Sequence, residues 1–175
     1  MQFKQHAIIL AVIEALHRHN SWTGKTHVQK TISLLHDKGL MAVPFHFVLY
    51  RHGPYSFELE ADLEQMKSYG ALDIEPNNRG YGVVLRPGAN AGFLHEREGF
   101  SSEETKAIED VCGFVGDSNI RVLERLATAS WIRRQEMIAE RELVVKRLNS
   151  LKPHVSPAEA EEADARVEAW LADMP

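Results

Sequence analysis

The fold of this chain is decided by residues 22–72, WTGKTHVQKTISLLHDKGLMAVPFHFVLYRHGPYSFELEADLEQMKSYGAL. The stretch contains two helical patterns with a short aromatic strand pattern between them, and a hairpin pattern follows it. This order is the outline of a winged helix-turn-helix, a fold that contacts nucleic acids or proteins. We therefore predict a mainly α protein with a small β-hairpin. A winged helix-turn-helix domain over residues 1–90 is followed by a C-terminal helical region over residues 100–175, packed on it or used for dimerisation.

Two helices are predicted before the strand. Residues 3–19 are apolar nearly all round, which is typical of a helix buried against several neighbours. Thr26 is the expected start of the second helix, because Thr26 and Gln29 have the spacing of a capping box. Gly39 is expected to end that helix as its C-terminal cap, where a positive φ costs glycine little.

The predicted strand, residues 45–50, is followed by a structural corner made of Gly53, Pro54, Tyr55 and Ser56. Glycine permits unusual dihedral angles and proline fixes φ near a value suited to a turn. The serine is best explained as the N-terminal cap of the helix that follows, and not as a nucleophile, because no G-x-S-x-G elbow surrounds it.

Beyond that helix, residues 72–75 and 81–86 are predicted to pair as a hairpin around a turn rich in asparagine and glycine. Residues 87–99 are the best candidate for a linker. The remainder is predicted to be helical. Helix starts are predicted at Ser101 with Glu104, at Asp117 or Ser118, at about Glu136, and at Ser156 with Pro157.

Composition places the chain among ordinary globular proteins, with 44% hydrophobic and 26% charged residues in 175. No apolar run approaches the roughly 18 residues of a membrane span, and no secretory signal is evident, so we expect a cytoplasmic protein without a membrane partner. Cys112 is the only cysteine, which excludes an internal disulfide or a cysteine-based zinc site.

Charge is distributed unevenly along the chain. The net charge is -5, which argues against nonspecific binding of nucleic acids. Between His17 and His52, however, basic residues far outnumber acidic ones, and the acidic excess lies downstream. The basic residues of that first third are Arg18, Lys25, Lys30, Lys38 and Arg51, against Asp37 alone.

The segments TGKTHVQKTISLL, YRHGPYSFEL and ADLEQMKSYGAL resemble the YwgA-like family of small bacterial proteins, and more loosely the Panacea-type antitoxin domains. The shared pattern is a Gln-Lys pair in a helix, an aromatic strand, a Gly-Pro-Tyr-Ser corner and a helix that ends in glycine. Its counterparts here are residues 29–30, 45–50 and 53–56 and Gly70. The first resemblance implies a winged-helix, regulator-like protein. The second implies neutralisation of toxins by protein contact.

Six residues are predicted to form a basic face that touches DNA phosphates, with the last of them on the wing tip. They are Lys25, His27, Lys30, Arg51, His52 and Arg79. The alternative is a solvated, mildly basic helix surface. Trp22, Trp131 and Trp170 are expected to pack in the core or between helices, and Trp170, on an exposed terminal helix, is also a candidate anchor for a protein partner.

Catalytic and metal sites are not predicted. The histidines of the first third have no metal-ligand spacing, although convergence in the folded chain stays open. Residues 23–26, TGKT, lack the first glycine of a phosphate-binding loop and follow a helix instead of a strand. We therefore predict a non-enzymatic regulator without a cofactor that binds DNA, or alternatively an antitoxin-like or defence-associated module that binds a protein. A homodimer is possible in either case.

Overall fold

The computed structural model describes residues 2–173 and is mainly helical, with eight helices and two short antiparallel hairpins in that range. The first half contains α1 (Gln2–Arg18), α2 (Lys25–Lys38), β1 (Val48–Tyr50), β2 (Gly53–Tyr55), α3 (Phe57–Ser68), β3 (Leu72–Pro76) and β4 (Val83–Pro87). The second half contains α4 (Gly92–Arg97), α5 (Ser102–Val115), α6 (Ile120–Arg134), α7 (Arg141–Leu151) and α8 (Pro157–Ala172). The predicted fold class, mainly α with a small β-hairpin, is confirmed.

Helix α1 is the centre of the main core. Its residues Ile8, Ile9, Ile13 and Leu16 are fully buried, and α2, α3, α4, α5 and β4 all pack around the helix. An all-round apolar helix needs this many neighbours to leave water, as predicted for residues 3–19. A second apolar cluster lies between α6, α7 and α8. Helices from both halves share the main core, and the division near residues 90–100 stays a prediction.

The hairpin β3–β4 follows α3, which is the position of a wing. It pairs Leu72 with Pro87 at its base and Pro76 with Val83 near its tip. The backbone N–H of Leu85 also donates to the carbonyl oxygen of Thr23 at 2.9 Å, so the hairpin is joined to the segment between α1 and α2.

The connection between α2 and α3 is a long segment that contains the small hairpin β1–β2. Strand structure was predicted over residues 45–50, but only Val48–Tyr50 are in a strand. Phe45 and Phe47 instead insert into the main core from a segment without regular secondary structure. The partner strand β2 contains Pro54. Proline has no backbone N–H to donate to a neighbouring strand, so it is tolerated in an edge strand.

Residues 87–99 are not a free linker, contrary to the prediction. They include α4, whose Leu94 is fully buried in the main core. The backbone of Gly88 lies so close to Gly70 that a Cβ atom at residue 88 would be 2.4 Å from the Gly70 carbonyl oxygen. The Asn90 side chain donates to the carbonyl oxygen of Tyr69 at 2.7 Å and closes this junction between α3 and the end of β4.

Helix ends show which local signals were sufficient. The capping boxes at Ser101 and Ser156 and the left-handed cap at Gly39 are confirmed. The predicted start at Thr26 is wrong, because α2 begins one residue earlier with Gly24 as its N-cap. The cap of α6 is Asn119 and neither Asp117 nor Ser118, since the Asn119 side chain accepts from two backbone N–H groups of the first turn.

Helix α7 begins at Arg141 and not near Glu136. Met137 has a positive φ of 58°, which interrupts the helical backbone before α7.

The packing of α6 on α8 includes a buried ion pair, in which the Arg133 guanidinium donates to both carboxylate oxygens of Asp164 at 2.6 and 2.8 Å. None of the helices within residues 2–173 is long and apolar enough to cross a membrane.

Candidate functional site

The Gly-Pro corner is held to α2 by two consecutive side chains. Gln29 Oε1 accepts from the Ser56 N–H at 3.0 Å, and Gln29 Nε2 donates to the Ser56 carbonyl oxygen at 2.9 Å. The next residue, Lys30, donates from Nζ to the Pro54 carbonyl oxygen at 2.7 Å. These bonds explain in physical terms why a Gln-Lys pair and a Gly-Pro-Tyr-Ser corner occur together in this chain.

Two features of the corner itself fix its shape. Gly53 has a φ of 95°, and a Cβ atom there would be 2.8 Å from Thr128 Oγ1 on α6. Ser56 caps α3, because its side-chain oxygen accepts from the Leu59 N–H at 3.2 Å. The predictions of a structural corner and of a capping serine agree with this geometry, and the serine side chain is fully committed to the cap.

Lys30 lies at the bottom of the corner and is only 2% exposed. Burial lowers the pKa of Lys30 to about 8, the carboxylate of Glu124 opposes this, and the ammonium group of Lys152 adds to it. Glu124 does not bind Lys30 directly but lies 3.7 Å from Lys152 Nζ and 3.4 Å from His52 Nδ1. Lysine is rarely buried this fully, although Lys38 and Lys152 are buried to a similar extent in this chain.

A pocket opens from Lys30 to the surface. It has a volume of about 180 Å³. Its walls come from the first two turns of α2, from β1 and β2 and from the start of α3. The lining residues are Lys25, Thr26, Gln29, Lys30, Tyr50, His52, Gly53, Tyr55 and Glu60.

Lys25 is already paired at the mouth of this pocket. Its Nζ donates to Glu60 at 2.6 Å and to Glu64 at 2.7 Å. Burial opposes protonation, but these two carboxylates together raise the pKa of Lys25 above its ordinary value. Lys25 therefore stays charged, yet its charge is neutralised by the helix that follows the corner.

Three aromatic side chains form a cluster beside the pocket. Tyr50 and Tyr55 are 5.7 Å apart between ring centroids, and Phe57 lies 5.7 Å from the first and 5.0 Å from the second, edge to face in both cases. Tyr50 is 49% exposed and Phe57 is 60% exposed. We call Tyr50, Tyr55, Phe57 and the pocket they border the corner surface.

The corner surface was not predicted from sequence. A usable signal was present, because Tyr50 and Tyr55 stand on either side of a tight turn and β1 pairs Val48 with Tyr55 and Tyr50 with Gly53. Side chains of neighbouring antiparallel strands on one face lie close enough to touch. The exposure of Phe57, the first residue of α3, could not be inferred from the helical pattern.

The six predicted DNA-contacting residues do not share one basic face. Lys30 and His27 are buried, and His27 bonds the carbonyl oxygen of Ser118 through Nε2 at 3.0 Å. Burial lowers the pKa of His27, which keeps it neutral near pH 7. The prediction is therefore wrong for Lys30 and His27 as contacts to an extended phosphate backbone, since the two side chains are only 2% and 5% exposed.

The helix in the groove-reading position is acidic. The exposed or half-exposed carboxylates Glu58, Glu60 and Glu64 lie on α3, directly before the hairpin. Carboxylates repel a phosphate backbone, so α3 is poorly suited to a DNA groove. Of the predicted set, Arg51, His52 and Arg79 remain exposed, and they lie on two different hairpins or their turns.

The wing borders a second, larger groove of about 690 Å³. Arg79 and the fully exposed Tyr81 lie in its turn, and Trp22 and Ile120 line the groove below. Within residues 2–173, no carboxylate lies within ion-pair distance of the Arg79 guanidinium. Arg79 at the wing tip and Arg51 are therefore the exposed arginines of the predicted set that make no ion pair within residues 2–173.

Trp170 does not lie on an exposed face, and the prediction that it anchors a partner is wrong. Its side chain is 8% exposed and stacks on Phe114 at 4.3 Å between centroids. The indole Nε1 donates to Asp110 at 2.8 Å. Lys38 donates from α2 to the Trp170 carbonyl oxygen and to that of Asp173 at 2.6 Å, so the end of α8 is fastened to the first half of the chain.

Histidine convergence was left open by the sequence. Within residues 2–173, no group of three or more His, Cys, Asp or Glu side chains is arranged to hold a metal ion. One buried pair was missed: His6 Nε2 lies 3.5 Å from Asp62, and His6 Nδ1 is 2.9 Å from the Tyr69 hydroxyl. Burial lowers the pKa of His6 and raises that of Asp62, and no pocket that we describe reaches them.

Comparison with known proteins adds no family assignment. No family model matches the chain, and a search of curated proteins gives no match.

Proposed function

We propose that this chain is a non-enzymatic binding module that recognises a partner protein through the corner surface. The observation that carries the proposal is the aromatic cluster, in which Tyr50 and Phe57 are about half exposed or more while held edge to face. Exposed aromatic side chains grouped in one patch are typical of binding hot spots, because they supply contact area at small cost in conformational entropy.

The rigidity of the corner supports the same proposal. The backbone on either side of Tyr55 is held by Lys30 and Gln29, and α3 is capped at its first turn. A surface that is already ordered loses little entropy on binding. The resemblance to YwgA-like and Panacea-type proteins favours a binding role as well, the second through protein contact.

The test is a comparison of three forms of the protein used as affinity bait. The double variant Tyr50→Ala/Phe57→Ala removes two anchors, and Leu143→Ala, an exposed apolar residue on α7, is the matched control. A specific protein retained by the wild type and by the control but lost by the double variant is the expected result. With that protein purified, we expect the dissociation constant to rise at least about tenfold for each anchor. Equal retention by all three forms contradicts the proposal.

A second candidate is DNA binding through the wing, favoured by the unpaired Arg79 beside the fully exposed Tyr81. In this hypothesis the hairpin tip contacts the backbone or the minor groove, and the acidic α3 stays away from phosphate. Duplex affinity should fall with salt, and Arg79→Ala should flatten the slope of log K against log salt by about 1. Lys30→Ala should not change that slope, because Lys30 is buried. An affinity independent of salt removes this candidate.

A further inference from the structure

The ammonium group of Lys30 has more donors than the protein uses. An ammonium carries three N–H donors. Within the part of the chain that the structure describes, the Pro54 carbonyl oxygen is its hydrogen-bond acceptor, at 2.7 Å. The side chain is 2% exposed and lines the pocket of the corner surface, so its remaining donors are available to a group that enters the pocket. A buried donor without an acceptor is costly, which favours a ligand that supplies one.

Neighbouring carboxylates do not accept the remaining hydrogen bonds of Lys30. Glu124 approaches Lys30 closely enough to oppose the lowering of its pKa but lies beside Lys152 and His52. Glu60, at the mouth, is bonded to Lys25. Lys25 is bonded to both Glu60 and Glu64, so Lys30 is the ammonium group of the lining that has no carboxylate within ion-pair distance among the described residues. A single carboxylate would pair with Lys30, whereas a doubly charged phosphate would face Glu60 and Glu124 at close range.

The size of the pocket limits what can enter. Its volume of about 180 Å³ is below the range of about 300–1,000 Å³ that is usual for whole small-molecule ligands. It suits one side chain. Tyr50 and Tyr55 belong both to the pocket lining and to the aromatic cluster, so a segment lying on the rings passes directly over the opening.

We infer that the Lys30 pocket takes the carboxylate of a Glu or Asp side chain from a partner segment whose neighbouring apolar residue packs on Tyr50 and Phe57. The inference rests on the proposed function, because it names the chemistry of the segment that the corner surface recognises. The carboxylate accepts a hydrogen bond from Lys30 Nζ. Recognition thus combines an aromatic anchor with a buried, charge-assisted hydrogen bond.

The test uses N-acetylglutamate α-amide as the probe and capped glutamine, its neutral counterpart of the same shape, as the control. Binding is followed by NMR at the backbone amides of Gly53 and Ser56 and at the lysine Cε–H groups. Saturable shifts with the glutamate probe, at least tenfold weaker with glutamine, are expected. Lys30→Met should weaken glutamate binding at least tenfold, while Lys146→Met on the exposed face of α7 should leave it unchanged. Equal shifts from the two probes overturn the inference.

A measurement on the wild-type protein covers the case in which Lys30→Met does not fold. The pKa of Lys30 is about 8, while that of Lys25 is raised above its ordinary value of 10.5. Raising the pH from about 7 to about 9.5 therefore discharges Lys30 and leaves Lys25 charged. Glutamate affinity should fall at least tenfold over that range. An affinity that does not change places the carboxylate on Lys25 and overturns the inference.

Failure of the inference is distinguishable from failure of the proposed function. A partner that is lost with Tyr50→Ala/Phe57→Ala but binds Lys30→Met as tightly as wild type overturns the inference and leaves the proposed function standing. A tenfold or greater loss of that partner with Lys30→Met supports both. The glutamate probe could bind through Lys30 while no partner protein depends on the aromatic cluster. In that case the proposed function fails, and the carboxylate that binds Lys30 does not come from a partner segment on the aromatic rings.

Discussion

Gln29 and Ser56 are joined by two hydrogen bonds, side-chain amide to backbone peptide, at 3.0 and 2.9 Å. The two hydrogen bonds resemble those between paired residues of an antiparallel sheet, but here a side chain of α2 bonds the backbone of the corner. Both residues are buried, so neither the Ser56 N–H nor its carbonyl oxygen has water as an alternative partner. This relationship fixes the start of α3 relative to α2.

Replacing Gln29 with Met should destabilise the protein by about 2–3 kcal/mol. Methionine keeps the approximate volume but leaves the buried N–H of Ser56 without a partner. The Ser56 carbonyl oxygen loses one of its two donors and keeps the Glu60 N–H at 3.2 Å. Urea unfolding followed by far-ultraviolet circular dichroism measures the change. Lys146→Met on exposed α7 is the control and should stay within about 0.5 kcal/mol. A loss below about 1 kcal/mol for Gln29→Met would show that the corner finds other partners.

Replacing Gly53 with Ala should cost at least about 2 kcal/mol, because the new Cβ adds a steric clash to the strain of a positive φ. That Cβ would lie 2.8 Å from Thr128 Oγ1. Gly82→Ala provides a matched control, since Gly82 has a similar φ of 88° and nothing within 4 Å of its Cβ position. It should cost about 1 kcal/mol.

A double-mutant cycle separates the two contributions at residue 53. Thr128→Ala removes the Oγ1 atom, so adding Gly53→Ala to it should cost about as much as Gly82→Ala alone. The free energies come from the same urea experiment. If Gly53→Ala is equally costly with and without Thr128, the clash is not the cause.

Acidification should destabilise the fold through His27. Folding holds the pKa of this imidazole below its ordinary value of 6.5, chiefly because the side chain is buried. As the pH falls below about 6.5, the unfolded chain therefore binds a proton that the folded chain does not, and the free energy of unfolding decreases down to the folded-state pKa. His27→Gln should flatten the dependence of that free energy on pH over this window.

The other buried groups act in both variant and wild type, so the comparison isolates His27. The pKa of His6 is also lowered, so His6 destabilises the fold on acidification in the same way as His27. The pKa of Asp62 is raised above its ordinary value of 3.8, so this group has the opposite effect and destabilises the fold as the pH rises above that value. Curves that run parallel for wild type and His27→Gln, in urea unfolding at several pH values, would remove His27 as a source of acid sensitivity.

Two tryptophans should respond differently to the same substitution. Trp170→Ala should cost about 3–5 kcal/mol, because the ring is buried against Phe114 and its Nε1 donates to Asp110. Trp22→Ala, at a position that is 49% exposed, should cost about 1 kcal/mol or less. Thermal unfolding compares them directly. Similar melting temperatures for the two variants would mean that the end of α8 is not part of the cooperative fold.

Local signals in the sequence were sufficient for much of the fold. A serine followed three residues later by glutamate predicted two capping boxes correctly, since the cap and its partner lie within one turn. The apolar pattern of residues 3–19 likewise predicted a central helix. These features depend on residues that are close in sequence, so they can be predicted without knowledge of the tertiary structure.

Predictions failed where a distant segment decided the outcome. Gln29 has the spacing of a capping residue, yet its amide is used by Ser56, 27 residues away. Lys30 falls outside the apolar stripe of α2 and was expected at the surface, but the corner covers that face and α6 packs beside it. For Trp170 the sequence left both core packing and a partner anchor open, because its stacking partner Phe114 lies on a different helix, α5. The candidate site depends on these long-range contacts, so it was the least predictable part.

The glycine contact at the base of the wing has a mechanical consequence. Gly70 ends α3, Gly88 follows β4, and their backbones touch without room for a side chain, while Asn90 bonds the last turn of the helix region. Close-packed backbone leaves no slack for a hinge. The base of the wing and the corner surface are thus attached to opposite ends of the same helix, α3.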